Sequence, residues 1–557
     1  MKQLIECVPN FSEGNDMSII KQITDAIESV DGIKLLNVDP GKATNRTVVT
    51  FVGEPLKVVD AAFKGIAKAA ELIDMSKHKG EHPRMGATDV CPFIPLNNIT
   101  MEETVQYARI LAERVGKELL IPVYLYEYAA SKPERKNLAS IRSGEYEGIA
   151  DKIIQPEWKP DFGPAQFNAK SGNTAIGARD FLIAYNINLN TTSVKRANSV
   201  AFDVRENGRV KTDETGKPVK DANGNPVRIP GTCKSVKAIG WYIKEYGVAQ
   251  ISMNLTNINI TPVHIAFDEV CKSAERRGMR VTGSELVGLI PLNCLLDAGK
   301  YFLKKQKRSA GVSEKELVKI AVKSLGLDEL APFDPNKKVI EYVMQKDSNK
   351  KLIDNNLKEF IDETASESPA PGGGSVAAYL GSLGASLATM VANLSAAKKG
   401  WENEFEYFSN WAEKGQQLKD QLLFLVDEDT RAFNAIMSAF QLPKNNEPEI
   451  ATRKAAIEEA TIFAIKTPLK VMQTAYESMA LIAEMAEKGN PNSVSDAGVG
   501  ALCARSAVYG AFLNVKINAA SLSDKEKAKA YTDKAATILK NALDKETAIL
   551  KVVESKL

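Results

Sequence analysis

The stretch that decides the fold of the middle of the chain is Phe181-Leu182-Ile183-Ala184-Tyr185-Asn186-Ile187-Asn188-Leu189. Its apolar, β-branched and aromatic residues predict a buried strand. The patterns that follow predict a helix, two strands, a helix and a last strand, at 192–200, 235–244, 248–255, 262–275 and 279–282. This β-α-β-β-α-β order is typical of a ferredoxin-like unit.

The residues before this stretch alternate strand and helix patterns in a similar way. Predicted strands lie at 4–8, 33–38, 46–52 and 120–126, and predicted helices begin near residues 15, 56 and 102. We therefore predict two α+β subdomains of sheet plus helices, at 1–180 and 181–344. A polar insertion at 212–231 contains Asn223-Gly224, a pair that favours a tight hairpin, so we expect a surface excursion without chemistry.

The remainder of the chain has a different composition. A linker is predicted at 345–352, and from 353 to 557 the sequence shows only Ala-, Leu-, Glu- and Lys-rich helical patterns. The breaks fall at Pro443, Gly489-Asn490-Pro491 and Ser521-Leu522-Ser523. We expect a multidomain protein whose two α+β subdomains precede an all-α domain of antiparallel helices. The wide apolar faces of these helices favour self-association.

Composition excludes several classes of function. The 557 residues are 44% hydrophobic and 25% charged, as in ordinary globular proteins, and the net charge of +2 favours neither nucleic-acid nor membrane binding. The amino terminus lacks the apolar core of a signal peptide. Six scattered cysteines without paired spacing are typical of free thiols in a reducing compartment, so we expect a cytoplasmic enzyme.

The clearest chemical signal is the run His78-Lys79-Gly80-Glu81-His82-Pro83-Arg84, which holds two of the three histidines. It matches the H-x-x-E-H pattern of zinc peptidases, but that site needs both histidines on one helical face. Gly80 and Pro83 favour a loop instead. A neutral histidine beside Glu81 and Arg84 suits a proton acceptor and donor, and solvated loop residues are the alternative.

Polar residues at other strand ends could share one pocket with this histidine. Asn10 follows the first strand and Asp39 the second, although helix capping and an ordinary turn would explain them equally well. A loop at the junction of the two α+β subdomains could hold a flat heterocycle, or be a plain linker. Its residues are Gly163, Pro164, Ala165, Gln166, Phe167, Asn168, Ala169, Lys170, Ser171 and Gly172.

The helical region holds three further candidates. The loop Gly372-Gly373-Gly374-Ser375 leads into a helix whose free N–H groups would bind an anion, unless Ser375 is only a cap. Asp429 lies between apolar Leu425 and Phe433, where a carboxyl group would have a raised pKa and act as a general acid; a solvated helix face is the alternative. Ser495 and Asp496 form a second polar cluster, for which helix capping is the alternative.

Together these segments resemble one family. CVPNFSEG, ATNRT, DMSKHKGEHPRMGATDVCPF and DFGP…GNTAIGAR are similar to glutamate formimidoyltransferase, and PAPGGGS, VDEDTRAF and NSVSDAG to formimidoyltetrahydrofolate cyclodeaminase. Their order resembles the fused formiminotransferase-cyclodeaminase family over nearly the whole chain, with a longer 212–231 excursion as the clearest departure. The resemblance implies formimino transfer from N-formimino-L-glutamate to N5 of tetrahydrofolate, then ring closure to 5,10-methenyltetrahydrofolate with loss of ammonia.

The resemblance also implies roles for individual residues. His82 would be the proton acceptor and donor in formimino transfer, residues 163–172 would bind folate, and the family's active-site aspartate falls on Asp429, which would protonate the departing ammonia. Asn10, Asp39, Glu81 and Arg84 are supporting candidates from their positions in the sequence alone. The resemblance implies polyglutamylated tetrahydrofolate as the carrier, no metal, and a ring-like homo-oligomer of dimers. The competing hypotheses are a zinc hydrolase built on His78, Glu81 and His82 and a non-catalytic folate-binding scaffold.

Overall fold

A computed structural model describes residues 3–42, 44–80, 83–345 and 351–557. The chain forms two compact units, which we describe separately. Unit 1 comprises Met1–Ala298 and Val322–Asp347, and unit 2 comprises Gly299–Ala321 and Ser348–Leu557. The predicted domain boundaries, including the linker at 345–352, stay predictions, and residues 346–350 of that linker lie outside the described residues.

The first half of unit 1 interleaves strands and helices. These are β1 (Leu4–Cys7), β2 (Asn10–Phe11), α1 (Met17–Glu28), β3 (Lys34–Gly41), β4 (Arg46–Gly53), α2 (Pro55–Leu72), β5 (Thr88–Asn97), α3 (Met101–Glu118), β6 (Val123–Glu127), α4 (Leu138–Arg142), α5 (Ile149–Ile153) and β7 (Thr174–Ala178). The strands form one sheet in the order β1-β4-β2-β5-β7-β6, with β3 on β4. Helices α1, α2 and α3 bury apolar residues against one face of it.

The next elements include the four strands of a second sheet. They are β8 (Ile183–Leu189), α6 (Val194–Val204), β9 (Arg209–Val210), β10 (Arg228–Ile229), β11 (Val236–Ile243), β12 (Val248–Leu255), α7 (Val263–Glu275), β13 (Val281–Val287), α8 (Leu292–Lys305), α9 (Glu314–Leu325), α10 (Pro335–Lys338) and α11 (Ile340–Gln345). The sheet order is β11-β12-β8-β13, with every neighbouring pair antiparallel. The insertion is largely exposed and turns at Asp213–Lys217 and Asp221–Asn225, where Gly224 adopts a φ of +81°.

Unit 2 is helical. Its main helices are α12 (Leu357–Thr364), α13 (Gly373–Ala396), α14 (Phe405–Phe440), α15 (Glu447–Lys488), α16 (Val494–Ala520) and α17 (Lys525–Glu554). Helices α14, α15 and α16 end at the three predicted breaks, and no strand occurs in residues 351–557. Helix α13 has the length and apolar composition of a membrane span, but 61% of its apolar window is buried inside the protein. It therefore resembles a core helix.

Helices α13 and α16 lie antiparallel at close range. A Cβ on Gly384 would approach the Gly500 carbonyl oxygen to 2.8 Å, so the glycine permits this backbone contact. Farther along, Gly373 lies opposite Asn514, whereas Ser395 Oγ accepts a hydrogen bond from the Asn490 N–H at 2.8 Å. The start of α13 thus adjoins the end of α16, and the end of α13 adjoins the segment that precedes α16.

Three predictions about unit 1 were incomplete. Strand β5, at the centre of the first sheet, and β7 were not predicted, and β3 continues through Asp39-Pro40-Gly41, where a turn was the alternative. In β5 the pattern is interrupted by Pro92 and Pro95, which disfavour a strand because proline cannot donate to a ladder. The pairing of β5 with its neighbours along the sheet overrides that signal.

Candidate functional sites

A cavity of about 630 Å³ lies in unit 1 against the face of the first sheet that helices α1 to α3 leave uncovered. Its walls come from both sheets: Glu6, Val48 and Tyr126 from the first, and Ala184, Lys237 and Asn254 from the second, are among the lining residues. The last three form one row across β8, β12 and β11, because Asn254 is paired with both others in register. This volume is typical of a small-molecule site.

Of the two strand-end candidates, Asn10 lines the cavity and Asp39 does not. Both lie in the same row of the sheet, since each is paired with Val48.

Asn10 Oδ1 accepts a hydrogen bond from Arg46 Nε at 2.7 Å. Burial lowers the pKa of Arg46 to about 10 and raises the pKa of half-buried Asp39. Asn10 thus orients a buried cation at the cavity wall.

Three further basic side chains line the cavity. Arg142 forms an ion pair with buried Asp89, which also accepts a hydrogen bond from the Met85 N–H at 3.1 Å. Arg179 and Lys237 form no ion pair with any residue that the structure describes. Arg179 and Lys237 can therefore meet an anionic ligand at the cavity wall.

The histidine-rich run follows α2 as a loop. His78 to Gly80 are not helical, and Glu81 and His82 lie outside the described residues. Arg84 is buried and forms ion pairs with Glu147 at 2.7 Å and Glu145 at 3.1 Å. Pro83, the neighbour of His82 in the chain, lines the cavity together with Glu145. Arg84 therefore fixes the loop at the rim of the cavity and does not itself line it.

His78 is already bound at both ring nitrogens. Its Nε2 lies 2.9 Å from the Asn45 carbonyl oxygen, and its Nδ1 accepts from Arg84 Nε at 3.4 Å. The carbonyl can only accept, so Nε2 carries the proton. Neither nitrogen is available to zinc, and the helix that H-x-x-E-H requires is absent at 78–80. Among the described residues no cluster of three His, Cys, Asp or Glu side chains could hold a metal.

The predicted folate loop, 163–172, packs beside the residues that follow the histidine-rich run. The Ala87 N–H donates to the Ser171 carbonyl oxygen at 2.9 Å, and Phe167 lies against Tyr146 at 5.5 Å between ring centroids. Lys170 Nζ donates to the Glu71 carbonyl oxygen. No residue of 163–172 is among those that line the cavity. The folate-binding role of this loop stays a prediction.

In unit 2, Asp429 contacts the first turn of α13. Ser375 is fully buried, and its Oγ donates to Asp429 Oδ2 at 3.2 Å or to the Val426 carbonyl oxygen at 2.9 Å. Burial raises the pKa of Asp429, although hydrogen bonds from the Ser375 side chain and backbone oppose the rise. A Cβ on Gly374 would collide with the Asp429 carboxylate. The glycine-rich loop and the predicted acid therefore form one candidate site.

Ser495 and Asp496 are not part of that site within one chain. They lie in the first turn of α16, beside the end of α13, whereas Gly372 to Ser375 lie at its start. The intervening length of α13 is about 30 Å at 1.5 Å per residue. Within one chain the structure thus separates two clusters that the sequence suggested for the same reaction.

Several cavity residues were missed by sequence reasoning. Glu6 carried a usable signal, because it is a charged residue between apolar Ile5 and Cys7 in a short predicted strand. Arg142 and Lys237 carried none, since single basic residues are usually solvated, and Arg179 ends the quoted segment GNTAIGAR without having been singled out. Their shared location became apparent only from the packing of the two sheets.

Comparison with known proteins gives matches along nearly the whole chain. The formiminotransferase domain, N-terminal subdomain, matches residues 4–179; the formiminotransferase domain matches 184–345; and formiminotransferase-cyclodeaminase matches 356–537. The formimidoyltransferase-cyclodeaminase of Mus musculus is 43% identical over 525 residues, 94% of each chain.

Two shorter relatives match parts of the chain. The glutamate formimidoyltransferase of Thermoplasma acidophilum is 45% identical over 321 residues, 57% of this chain and 98% of that protein. The methenyltetrahydrofolate cyclohydrolase of Methylorubrum extorquens is 38% identical over 200 residues, 36% of this chain and 96% of that protein.

Proposed function

Because this chain belongs to the formimidoyltransferase-cyclodeaminase family, we infer that it is a bifunctional folate enzyme of histidine degradation. It transfers the formimino group of N-formimino-L-glutamate to N5 of tetrahydrofolate. It then converts 5-formiminotetrahydrofolate to 5,10-methenyltetrahydrofolate and ammonia. The observation that carries this conclusion is the match of both halves, in order, to one fused family.

Formimino transfer belongs to the cavity of unit 1. N5 of tetrahydrofolate attacks the formimino carbon and must lose its proton, while the departing glutamate nitrogen must gain one. His82 is the proposed carrier of that proton. The location of its neighbour Pro83 on the cavity wall supports this role. Arg179 and Lys237 have the charge needed to bind the glutamate carboxylates.

Ring closure belongs to the site at the start of α13. N10 attacks the formimino carbon of 5-formiminotetrahydrofolate, and the nitrogen that leaves as ammonia must be protonated. Asp429 is the proposed general acid, because burial keeps its carboxyl protonated at higher pH than usual. Ser375 and Gly374 are positioning residues: one donates to the carboxylate and the other leaves room for it.

The ligands of the proposal are N-formimino-L-glutamate and tetrahydrofolate, the latter in polyglutamylated form and bound in part by 163–172. We include no metal, nucleic acid or membrane, and we place the protein in the cytoplasm. Six free cysteines and the modest net charge support that location and ligand set. A zinc hydrolase is disfavoured because both nitrogens of His78 are already bound.

We also propose a homo-oligomer, a ring of dimers. Its support is an exposed apolar face on α13 and α16, formed by Leu383, Met390, Leu394, Val499, Leu502, Tyr509, Leu513 and Ile517. A patch of this kind marks an association surface. Light scattering on the purified chain measures the assembly, and a monomer at micromolar concentration would contradict the proposal.

The ferredoxin-like classification of the second sheet is likewise a proposal. Its support is the succession β8, α6, β11, β12, α7, β13 together with the sheet order β11-β12-β8-β13. The small strands β9 and β10 pair with each other and lie outside that order.

The decisive experiment mixes the purified chain, tetrahydrofolate and N-formimino-L-glutamate, and follows methenyl absorbance and ammonia release together. Both signals are expected in equal amounts. A folate-binding scaffold without catalysis would bind tetrahydrofolate and produce neither signal. Stoichiometric zinc in active protein, with activity lost on its removal, would instead favour the hydrolase.

A second candidate activity is suggested by the relative that is named a methenyltetrahydrofolate cyclohydrolase. Water would add to the methenyl carbon between N5 and N10, the same carbon at which ring closure occurs. Incubation of the chain with 5,10-methenyltetrahydrofolate tests it, with Asp429→Ala as the comparison. Loss of methenyl absorbance no faster than in buffer would exclude the activity.

A further inference from the structure

The most unusual side chain of the cavity is the carboxyl group of Glu6. It lies in β1, is 2% exposed, and lines the cavity. Its Oε2 has no hydrogen-bond partner among the residues that the structure describes. Buried polar atoms nearly always have a partner, because an unsatisfied one costs about 1–3 kcal/mol, and more when it is charged. A ligand that enters the cavity can supply the missing donor.

The charges around Glu6 define what that ligand must carry. Arg179, which also lines the cavity, is close enough to oppose the rise that burial imposes on the pKa of Glu6, and Glu341 adds to the rise. Arg179 forms no ion pair with Glu6; its Nη1 donates to the Asp180 carbonyl oxygen at 2.9 Å. An anion and a cation therefore lie near each other on the wall, and neither neutralises the other by direct contact.

N-formimino-L-glutamate has the complementary arrangement. Its formimino group is an amidine, which is planar, cationic when protonated, and presents two N–H donors in parallel, as a guanidinium does. The nitrogen that bears it is bonded to the same carbon as the α-carboxylate. A carboxylate beside a guanidinium can thus bind the amidinium and the α-carboxylate of one molecule at once.

We propose that Glu6 binds the formimino amidinium of the substrate while Arg179 binds its α-carboxylate, so that Glu6 sets the preference for a formimino over a formyl donor. The ligand's identity rests on the function proposed above. An N-formyl group replaces one N–H donor with a carbonyl oxygen, which would face the carboxylate with a second acceptor and carries no positive charge. Pairing with Glu6 also favours the protonated amidinium, the form with the more electrophilic carbon.

Calorimetric titration of the full chain tests this assignment. Wild type, Glu6→Gln and Glu6→Asp are each titrated with N-formimino-L-glutamate, N-formyl-L-glutamate and tetrahydrofolate. Loss of a charge-assisted pair of hydrogen bonds predicts about 10- to 100-fold weaker binding of the formimino donor by Glu6→Gln. Binding of the formyl donor and of tetrahydrofolate should change less than about twofold, and Glu6→Asp should retain part of the formimino preference. Asp60→Asn, on α2 across the sheet, is the charge-matched control.

Three outcomes overturn the inference. Equally weakened binding of both donors would mean that Glu6 maintains the structure of the cavity and does not select the donor. Weakened binding of tetrahydrofolate alone would mean that Glu6 binds the pterin N–H groups. Unchanged binding of all three ligands would mean that Glu6 contacts none of them. If Glu6→Gln fails to fold, Glu6→Asp alone tests the inference. The quantity measured is then the ratio of its affinities for the formimino and formyl donors, compared with the wild-type ratio. Wild type that binds the formimino donor but forms no 5-formiminotetrahydrofolate would contradict the proposed function and leave this assignment intact.

Discussion

Glu6 is a residue whose burial opposes stability, and this gives a test that needs no substrate. Burial raises its pKa from 4.5 to about 7. Between these values the unfolded chain releases a proton that the folded protein keeps, so stability falls as pH rises through this window. Above about pH 7 the penalty reaches its full size, roughly 3 kcal/mol.

Glu6→Gln should therefore raise the unfolding temperature of unit 1 at about pH 8, and this gain should shrink as the pH falls toward 4.5. Thermal unfolding followed at several pH values measures it, with Asp60→Asn as the control that should show no such trend. A variant that is less stable than wild type at about pH 8 would show that the carboxylate has a structural partner.

Ser375 gives a prediction about pH dependence in unit 2. Its hydroxyl stabilises the charged form of Asp429, so Ser375→Ala should raise the pKa of Asp429 further. Ring closure needs the protonated acid, and its rate falls as pH rises through that pKa. The falling limb of the pH–rate profile should thus move to higher pH in Ser375→Ala.

Ser382→Ala is the matched control for that measurement. Ser382 is also buried in α13, but its hydroxyl donates to the Tyr379 carbonyl oxygen at 2.7 Å. The falling limb of the pH–rate profile of Ser382→Ala should lie at the same pH as in the wild type. A limb that stays in place or moves to lower pH in Ser375→Ala would contradict the assignment of Asp429 as the acid.

At the scale of elements, the first turn of α13 contains two adjacent glycines, and we expect alanine substitutions at these two positions to have opposite effects on ring closure. Gly374→Ala should abolish ring closure, because the new Cβ would occupy the space of the Asp429 carboxylate. Gly373→Ala should retain it, since the nearest atom to its Cβ would be Asn514 Nδ2 at 3.6 Å, an ordinary contact. Alanine is the better helix former at both positions by up to about 1 kcal/mol.

Ring closure is measured on supplied 5-formiminotetrahydrofolate, with formimino transfer as the internal reference for folding of unit 1. Transfer should be normal in both variants. If Gly374→Ala closed the ring at the wild-type rate, the contact between α13 and Asp429 would have no role in the reaction.

The elements also show which parts of the fold can be predicted from sequence patterns. Helices α14, α15 and α16 end at the three predicted breaks, because helical periodicity and Gly or Pro stops are local signals. Strand β5 escaped prediction because Pro92 and Pro95 interrupt it, and its location is fixed by neighbours distant in the chain. Asp429 was selected as a candidate from its apolar flanks, whereas its contact with Gly374 depends on the packing of two helices.

At the scale of the whole molecule, two reactions in two units should be separable by mutation. His82→Ala should abolish formimino transfer and leave ring closure on supplied 5-formiminotetrahydrofolate unchanged. Asp429→Ala should do the reverse. Initial rates of each half-reaction measure the outcome, and loss of both activities in either folded variant would contradict the assignment of two sites.

The antiparallel packing of α13 and α16 has a consequence for mixed assemblies. Since Asp496 and Asp429 lie at opposite ends of α13 in one chain, they can serve the same ring closure only if each comes from a different copy. Asp496→Ala and Asp429→Ala would then each be inactive alone. Refolded together, they should regain about a quarter of the wild-type rate, because in random pairs one of every four sites draws both carboxylates from intact copies. In such a protein, ring closure would require contact between two copies of the chain, and dilution that separates the copies would abolish it.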